Sequence, residues 1–171
     1  MSKFIAIDFE TADYGRDSAC AVGLARVEDC RVTATAYRLI RPPRPAMMFT
    51  YIHGITWEEV EKEPPFAAVW PELAGLFEGL DFIAAHNAPF DKSVLNACCA
   101  AAGLQAPPQP FVCTVKLSKT ELGLKPATLA HVRHHLSIPL NHHNALSDAE
   151  ACAKIMITVE QCRREKAGGR G

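Results

Sequence analysis

The feature that most constrains the fold is residues 4–11, an apolar run that ends in two acids separated by one residue. A short apolar run of this kind predicts a strand buried on both faces, which places it in the centre of a sheet. Because successive strand side chains point to opposite faces, Asp8 and Glu10 lie on the same face, roughly 7 Å apart. Like charges this close raise each other's pKa unless a cation, most simply a divalent metal with oxygen ligands, offsets them. The alternative is a pair of solvated acids at a strand end.

Length and composition favour one folded domain. The chain has 171 residues, of which 49% are hydrophobic and 22% are charged, and this supports a sizeable core. We predict a single domain over residues 1–165 and a disordered tail over residues 166–171. No apolar stretch is long enough for a membrane span and no export leader is recognisable, so we expect a cytoplasmic protein.

Net charge and cysteine content limit the classes of protein to which this chain can belong. The formal net charge of -1 argues against binding of long nucleic acid through bulk positive charge, but it permits binding of a few nucleotides beside a metal. Seven cysteines occur without a C-x-x-C spacing. Cys98, Cys99 and Cys152 lie among Ala and Leu on predicted helices, so we expect buried free thiols rather than disulfides or a zinc site.

The remaining pattern alternates strands and helices, which is typical of an α/β fold. Further strands are expected over 18–27 and 31–40 as an antiparallel meander, over 81–85 in a parallel βα unit, and over 111–113 at an edge. Helices are expected over 66–79, 89–102, 115–122, 128–136 and 145–166. Thr56 and Glu59 have the spacing of a capping box, which predicts a further short helix.

An apolar group precedes that short helix and consists of Met47, Met48, Phe49 and Tyr51. We expect it to fold back over the core. The alternative is an exposed group that stacks on nucleobases. The two alternatives predict opposite exposures for these side chains.

Acids from three separate segments are expected at one edge of the sheet. Asp8 and Glu10 leave the first strand, Asp91 lies just after the fourth, and Asp148 falls early in the last helix. His143 precedes Asp148 by five residues, on the loop that leads into that helix. Open sheets with parallel strands place their sites at such strand ends, so these five residues form the candidate site.

The five residues occur in three ordered motifs, DFET at 8–11, HNAPFD at 86–91 and HNALSD at 143–148. These motifs resemble those of the DnaQ-like exonuclease superfamily, which includes the proofreading subunit of bacterial DNA polymerase III, ribonuclease T and oligoribonuclease. The H-x-x-x-x-D spacing is similar to the DEDDh branch, and residues 52–56 resemble a segment of the proofreading subunits. The resemblance extends from about Lys3 to about Val159.

The resemblance implies a ribonuclease H-like fold, with a five-stranded mixed sheet flanked by helices. It also implies a metal-dependent exonuclease that releases nucleoside 5′-monophosphates from the 3′ end of single-stranded or mismatched DNA, or of short RNA. Two divalent ions, Mg²⁺ or Mn²⁺, would activate water and stabilise the leaving oxygen.

Roles for the five residues follow from the same resemblance. Asp8 would bridge both ions, Glu10 and Asp148 would complete one coordination shell, and Asp91 would hold the other ion through water. His143 would be the general base that takes a proton from the attacking water, a task suited to a group that titrates near neutral pH.

Substrate contacts are expected from four further residues. Thr11 and the main chain near Phe9 would contact the terminal nucleotide, and His53 would contact its flank. Asn87 is another candidate, although bracing the turn that presents Asp91 is the favoured role for His86 and Asn87.

Other polar side chains have a simpler interpretation. A solvated helix face is favoured over a zinc site for His131 and His135, which lack a third ligand. Four lysines are candidate phosphate contacts, although scattered lysines are usually solvated. They are Lys92, Lys116, Lys119 and Lys125.

The sequence differs from that of the replicative proofreading subunit in one respect. That subunit has a further region that ties it to its polymerase, whereas little sequence follows Val159 here. We therefore expect a stand-alone exonuclease or a different arrangement, with a DNA polymerase as a candidate partner but no evident tether. Two alternative functions are a catalytically silent nucleic-acid binding module and a phosphodiesterase that acts on small nucleotides.

Overall fold

The computed structural model describes residues 2–139 and 144–168. Its centre is a five-stranded mixed sheet in the order β3-β2-β1-β4-β5, so the first strand is central, as predicted. β1 pairs antiparallel with β2 and parallel with β4, β2 and β3 are antiparallel, and β4 and β5 are parallel. The strands are β1 (Phe4–Thr11), β2 (Ala19–Glu28), β3 (Arg31–Leu39), β4 (Phe82–Ala85) and β5 (Phe111–Cys113).

Helices cover both faces of this sheet. Those described are α1 (Thr50–His53), α2 (Trp57–Val60), α3 (Phe66–Ala74), α4 (Ala88–Ala102), α5 (Thr114–Thr120), α6 (Leu129–His135) and α7 (Ala145–Gly168). The capping box before α2 is confirmed, since the Thr56 N–H donates to Glu59 Oε2 at 2.8 Å. None of the helices within 2–139 and 144–168 combines the length and apolar character that a bilayer-spanning helix needs.

The predicted disordered tail is partly helical. α7 continues through Gly168, so residues 166–168 extend the last helix by about one turn instead of leaving it. Residues 169–171 of the predicted tail lie outside the described residues. The Gly and Arg residues of the tail do not themselves predict a helix. The preceding turns of α7 are already formed and partly buried, so the helix extends through residue 168 at little cost.

The alternation of β1 explains where its two acids point. Ile5, Ile7 and Phe9 pack in the cluster that includes α3 and α4. Phe4 and Ala6 pack on the other face, against α7. Asp8 and Glu10 continue the series of Phe4 and Ala6 and therefore project toward the α7 face.

Gly23 allows α7 to begin directly on the sheet. Gly23 is the β2 residue that pairs with Asp8. A Cβ at this position would collide with the main chain of Ala145 and Leu146 at the start of α7. The lack of a side chain thus brings the first turn of α7, and Asp148 with it, next to Asp8.

The prediction that the apolar group at 47–51 covers the core is wrong for two of its members. Met48 is 51% exposed and Tyr51 is 82% exposed, whereas Met47 packs against a buried cluster. Tyr51 belongs to the four-residue helix α1, whose buried side chain is His53, so Tyr51 lies on the exposed side of that helix.

Candidate active site

The four predicted acids lie at the edge of the sheet where the parallel strands end. Asp8 and Glu10 are near the C-terminus of β1, and Asp91 is in the first turn of α4, which follows β4. Asp148 is in the first turn of α7. The electrostatic influence of Asp91, Glu10 and Asp148 on Asp8 shows that the structure brings the four carboxyl groups near one another.

Asp91 is joined directly to the central strand. Its Oδ1 accepts a hydrogen bond from the Phe9 N–H at 3.1 Å, and the side chain is 2% exposed. This bond uses the main-chain donor of Phe9, while the Phe9 ring is buried in the core. A substrate contact by Phe9 stays a prediction, and the Phe9 N–H is already engaged by Asp91.

Asp148 is positioned by the N-terminus of α7 and by an arginine. Asn144 caps the helix, because its Oδ1 accepts from the Leu146 N–H at 3.0 Å. The Arg133 Nη1 then donates to Asp148 Oδ1 at 2.9 Å. Sequence reasoning missed Arg133, which is 3% exposed, because an arginine on a short polar helix is normally interpreted as solvated.

Burial and mutual repulsion raise the pKa values of the other carboxyl groups. The pKa of Asp8 lies well above its ordinary value, chiefly through burial and then through the charges of Asp91, Glu10 and Asp148. Burial, followed by the charge of Asp148, raises the pKa of Glu10 to about 7. Burial raises the pKa of Asp91 to about 7 despite the opposing hydrogen bond from Phe9. The ionised forms of these acids therefore require an added positive charge.

This donor set fits divalent ions with hard oxygen ligands. Carboxylates are the ligands that Mg²⁺ and Mn²⁺ favour, and an ion would relieve the repulsion that raises these pKa values. Among the described residues, no three His, Cys, Asp or Glu side chains are already close enough to chelate an ion. One oxygen of Asp91 and one of Asp148 are instead held by Phe9 and Arg133.

His143, the predicted general base, lies outside the described residues, as does its neighbour His142. His86 is described, and burial lowers its pKa from the ordinary value. Its ring lies 2.9 Å from Thr114 Oγ1 and 3.0 Å from the Ala127 carbonyl oxygen. His86 thus braces the segments after β5 and before α6, through a threonine hydroxyl and a main-chain carbonyl, and its role in presenting Asp91 stays a prediction.

Thr11 and His53 are joined by a hydrogen bond at the C-terminal end of β1, and both are buried. The Ile55 N–H donates to His53 Nδ1 at 3.0 Å, so the other ring nitrogen carries the proton and donates to the Thr11 carbonyl at 3.2 Å. Thr11 is 8% exposed and His53 is 6% exposed. These bonds give His53 a structural role, and its contact with a nucleotide stays a prediction, as do those of Thr11 and Asn87.

The simpler interpretations of the remaining groups agree with the structure. His131 and His135 are exposed on α6, as expected for a solvated face. Cys98, Cys99 and Cys152 are buried free thiols, as predicted.

The sequence of this chain is similar to a known protein family and to several characterised proteins. The RNase T family model, described as exonuclease, matches residues 5–156. A PolC-type DNA polymerase III from Thermotoga petrophila is 30% identical over 160 residues, which are 91% of this chain and 12% of that protein. The 3′-5′ exonuclease DinG of Bacillus subtilis is 28% identical over 169 residues, which are 95% of this chain and 18% of DinG. This chain therefore spans less than a fifth of either relative.

A solved structure shares the whole fold. Exonuclease X in complex with 5′ overhanging duplex DNA superposes with a TM-score of 0.74 at 25% identity, over 92% of this chain and 91% of that one. The sheet order and flanking helices described above are thus those of a ribonuclease H-like exonuclease.

Proposed function

Because this chain belongs to the RNase T family of exonucleases, we propose that it hydrolyses phosphodiester bonds at 3′ ends and releases nucleoside 5′-monophosphates. The observation that carries the proposal is the group of four carboxylates, drawn from β1, α4 and α7, at one sheet edge. Three of them have pKa values raised by burial and by neighbouring charge, as expected for a site that receives cations.

The proposed mechanism assigns a role to each residue. Asp8, Glu10, Asp91 and Asp148 would hold two divalent ions, Mg²⁺ or Mn²⁺. When bound, the ions would supply an activated water as nucleophile and positive charge beside the leaving oxygen. His143 takes a proton from the attacking water. Contacts to the terminal nucleotide come from Thr11, Asn87, His53 and the main chain at Phe9.

The proposed substrate is the 3′ end of single-stranded or mismatched DNA, or of short RNA. The similarity to exonuclease X, which was solved with duplex DNA, favours DNA. The similarity to a PolC-type polymerase makes a DNA polymerase a candidate partner. We place the protein in the cytoplasm, a reducing compartment, because all seven of its cysteines are free thiols.

The test is digestion of 5′-labelled DNA and RNA oligomers of matched sequence, single-stranded and duplex, with Mn²⁺ or Mg²⁺ and with chelator. We expect stepwise shortening from the 3′ end that stops when chelator is added. If neither sugar supports release of mononucleotides while the oligomer still binds, the chain is a silent binding module. Cleavage confined to dinucleotides or cyclic dinucleotides would instead identify a small-nucleotide phosphodiesterase.

A further inference from the structure

A second groove lies on the same sheet edge as the catalytic acids, beyond β4. It has a volume of about 610 Å³ and is bordered by the start of α4, by α5 and by the segment that leads into α6. Val115, Pro126 and Ala127 contribute apolar surface to it, and Lys119 and Lys125 contribute positive charge. The sequence named both lysines among four candidate phosphate contacts, and the structure brings these two to one groove.

The strand registers fix the position of this groove relative to the acids. Continued past the last paired residues, the parallel registers of β1, β4 and β5 bring Asp8, His86 and Thr114 level with one another. Asp8 and His86 lie two residues beyond the pair of Ala6 and Ala84, and His86 and Thr114 lie one residue beyond the pair of Ala85 and Cys113. Neighbouring strands are roughly 4.8 Å apart, so β5 lies roughly 10 Å from β1. The groove therefore begins within a short distance of the catalytic edge.

His86 forms the wall between the groove and the acids. Its Nε2 lies 3.0 Å from the Ala127 carbonyl oxygen, which only accepts, so Nε2 carries a proton, and its Nδ1 lies 2.9 Å from Thr114 Oγ1. Both ring nitrogens are engaged, which fixes the orientation of the ring. A ring held at both nitrogens gives the groove a fixed wall on the side of the acids.

The lining has the chemistry of a nucleic-acid strand. Lys119 and Lys125 are exposed, and neither forms an ion pair with another described residue. Two cations that border apolar surface match a ligand with phosphates along one side and sugars and bases along the other. A purely apolar ligand would leave both lysines without a counter-charge.

We propose that this groove binds the nucleotides on the 5′ side of the scissile bond, with phosphates at Lys119 and Lys125. This inference rests on the proposed function. When the terminal nucleotide occupies the catalytic edge, the substrate continues only toward its 5′ side. The groove offers that continuation a cationic path along the sheet edge, so it selects single strands of more than a few nucleotides.

The test compares two double variants with the same change in net charge. Lys119→Gln with Lys125→Gln alters the groove, whereas Lys62→Gln with Lys154→Gln removes two exposed lysines that do not border it. For the groove variant we expect KM for a long single-stranded oligonucleotide to rise roughly tenfold with kcat unchanged, and dinucleotide turnover to stay at the parent level. The control variant should match the parent on both substrates.

A binding measurement separates this inference from the proposed function. In chelator, the salt dependence of oligonucleotide affinity should lose about 1.4 from its log-log slope in the groove variant, because each single-strand phosphate contact contributes about 0.7. An equal loss in the control variant would show a bulk charge effect and overturn the inference. An effect on duplex substrates alone would assign the groove to the complementary strand, which also overturns it. Absent turnover of every oligonucleotide by the parent would count against the proposed function, and the binding comparison in chelator would still decide the groove.

Discussion

Arg133 and Asp148 form an ion pair at the sheet edge that carries the four acids, with Nη1 and Oδ1 separated by 2.9 Å and the arginine 3% exposed. The same guanidinium donates to the Pro139 carbonyl, and its Nη2 lies 3.4 Å from the Ser147 hydroxyl. Its Nε has no partner among the described groups. A protein cation thus offsets part of the negative charge that gathers around Asp8 and Glu10 before any metal binds.

Replacing this arginine should make the protein more dependent on metal. In Arg133→Met, Asp148 faces the charges of Glu10 and Asp8 without its guanidinium partner, so we expect a loss of roughly 2 to 3 kcal/mol in chelator. An added divalent ion then supplies the missing charge, and the rise in Tm on adding Mn²⁺ should exceed that of the parent. Thermal melts with chelator and with a Mn²⁺ series measure both effects.

Arg163→Met is the matched control, because Arg163 pairs with Glu121 on the exposed surface. It should change neither the stability by more than about 1 kcal/mol nor the Mn²⁺ response. A smaller Mn²⁺ response in Arg133→Met than in the parent would contradict the prediction. It would mean that Arg133 mainly holds Asp148 in the orientation that binds the ion, and that this effect outweighs its competition with the ion for the carboxylate.

Gly23→Ala should damage the active site from the opposite strand. The added methyl group collides with the main chain at Ala145 and Leu146, which displaces the start of α7 and Asp148 with it. We expect a loss of roughly 1 to 3 kcal/mol and of roughly a hundredfold in kcat/KM. Gly75→Ala is the control, since a Cβ there meets nothing within 4 Å, and it should retain parent activity. Parent-like activity of Gly23→Ala would show that α7 can shift without moving the carboxylate.

The sequence predicted the architecture better than the details of the site. The central position of β1, the four other strands and the common face of Asp8 and Glu10 all follow from apolar patterning and strand alternation, and the structure agrees. The partner of Asp148 could not be predicted, because Arg133 is brought to it by the packing of α6 on α7, a tertiary contact without a local pattern. The exposure of Tyr51 was mispredicted for a related reason, since residue type does not determine which side of the short helix α1 packs on the core.

The stability of the metal-free protein should fall as pH rises from about 4 to about 7. The folded pKa values of Glu10 and Asp91 are each about 7, whereas their ordinary values are 4.5 and 3.8. Between these limits the folded chain keeps protons that the unfolded chain has released, so raising the pH favours unfolding. Asp13 and Asp17 pair with Arg44 and have lowered pKa values, so they change the stability only at pH values below this range. Melts in chelator across this range check the slope, which Glu10→Gln with Asp91→Asn should flatten. A Tm that rises from pH 5 to pH 7 would contradict it.

Asp8→Asn should separate stability from activity. Asp8 is buried among three other acids, so a neutral amide of the same shape removes repulsion and should raise Tm in chelator. The same change removes the predicted bridging ligand, so we expect turnover to fall by orders of magnitude and the Mn²⁺-induced rise in Tm to shrink. Asp29→Asn, in an exposed turn, is the control and should alter neither quantity. Activity close to the parent level in Asp8→Asn would remove this residue from the reaction.

His143→Ala tests the one predicted catalytic residue whose surroundings are not described. Its assignment rests on its place five residues before Asp148, whose position at the catalytic edge is observed. Loss of a general base should lower kcat by roughly 100- to 10,000-fold and remove the limb of the pH profile that reports its deprotonation. Mn²⁺ affinity measured by calorimetry should stay at the parent level, because the four carboxylates remain. His142→Ala changes the neighbouring imidazole and should retain parent kinetics. If His143→Ala instead loses Mn²⁺ affinity in proportion to activity, the histidine is a ligand, and the proton must be taken by another group.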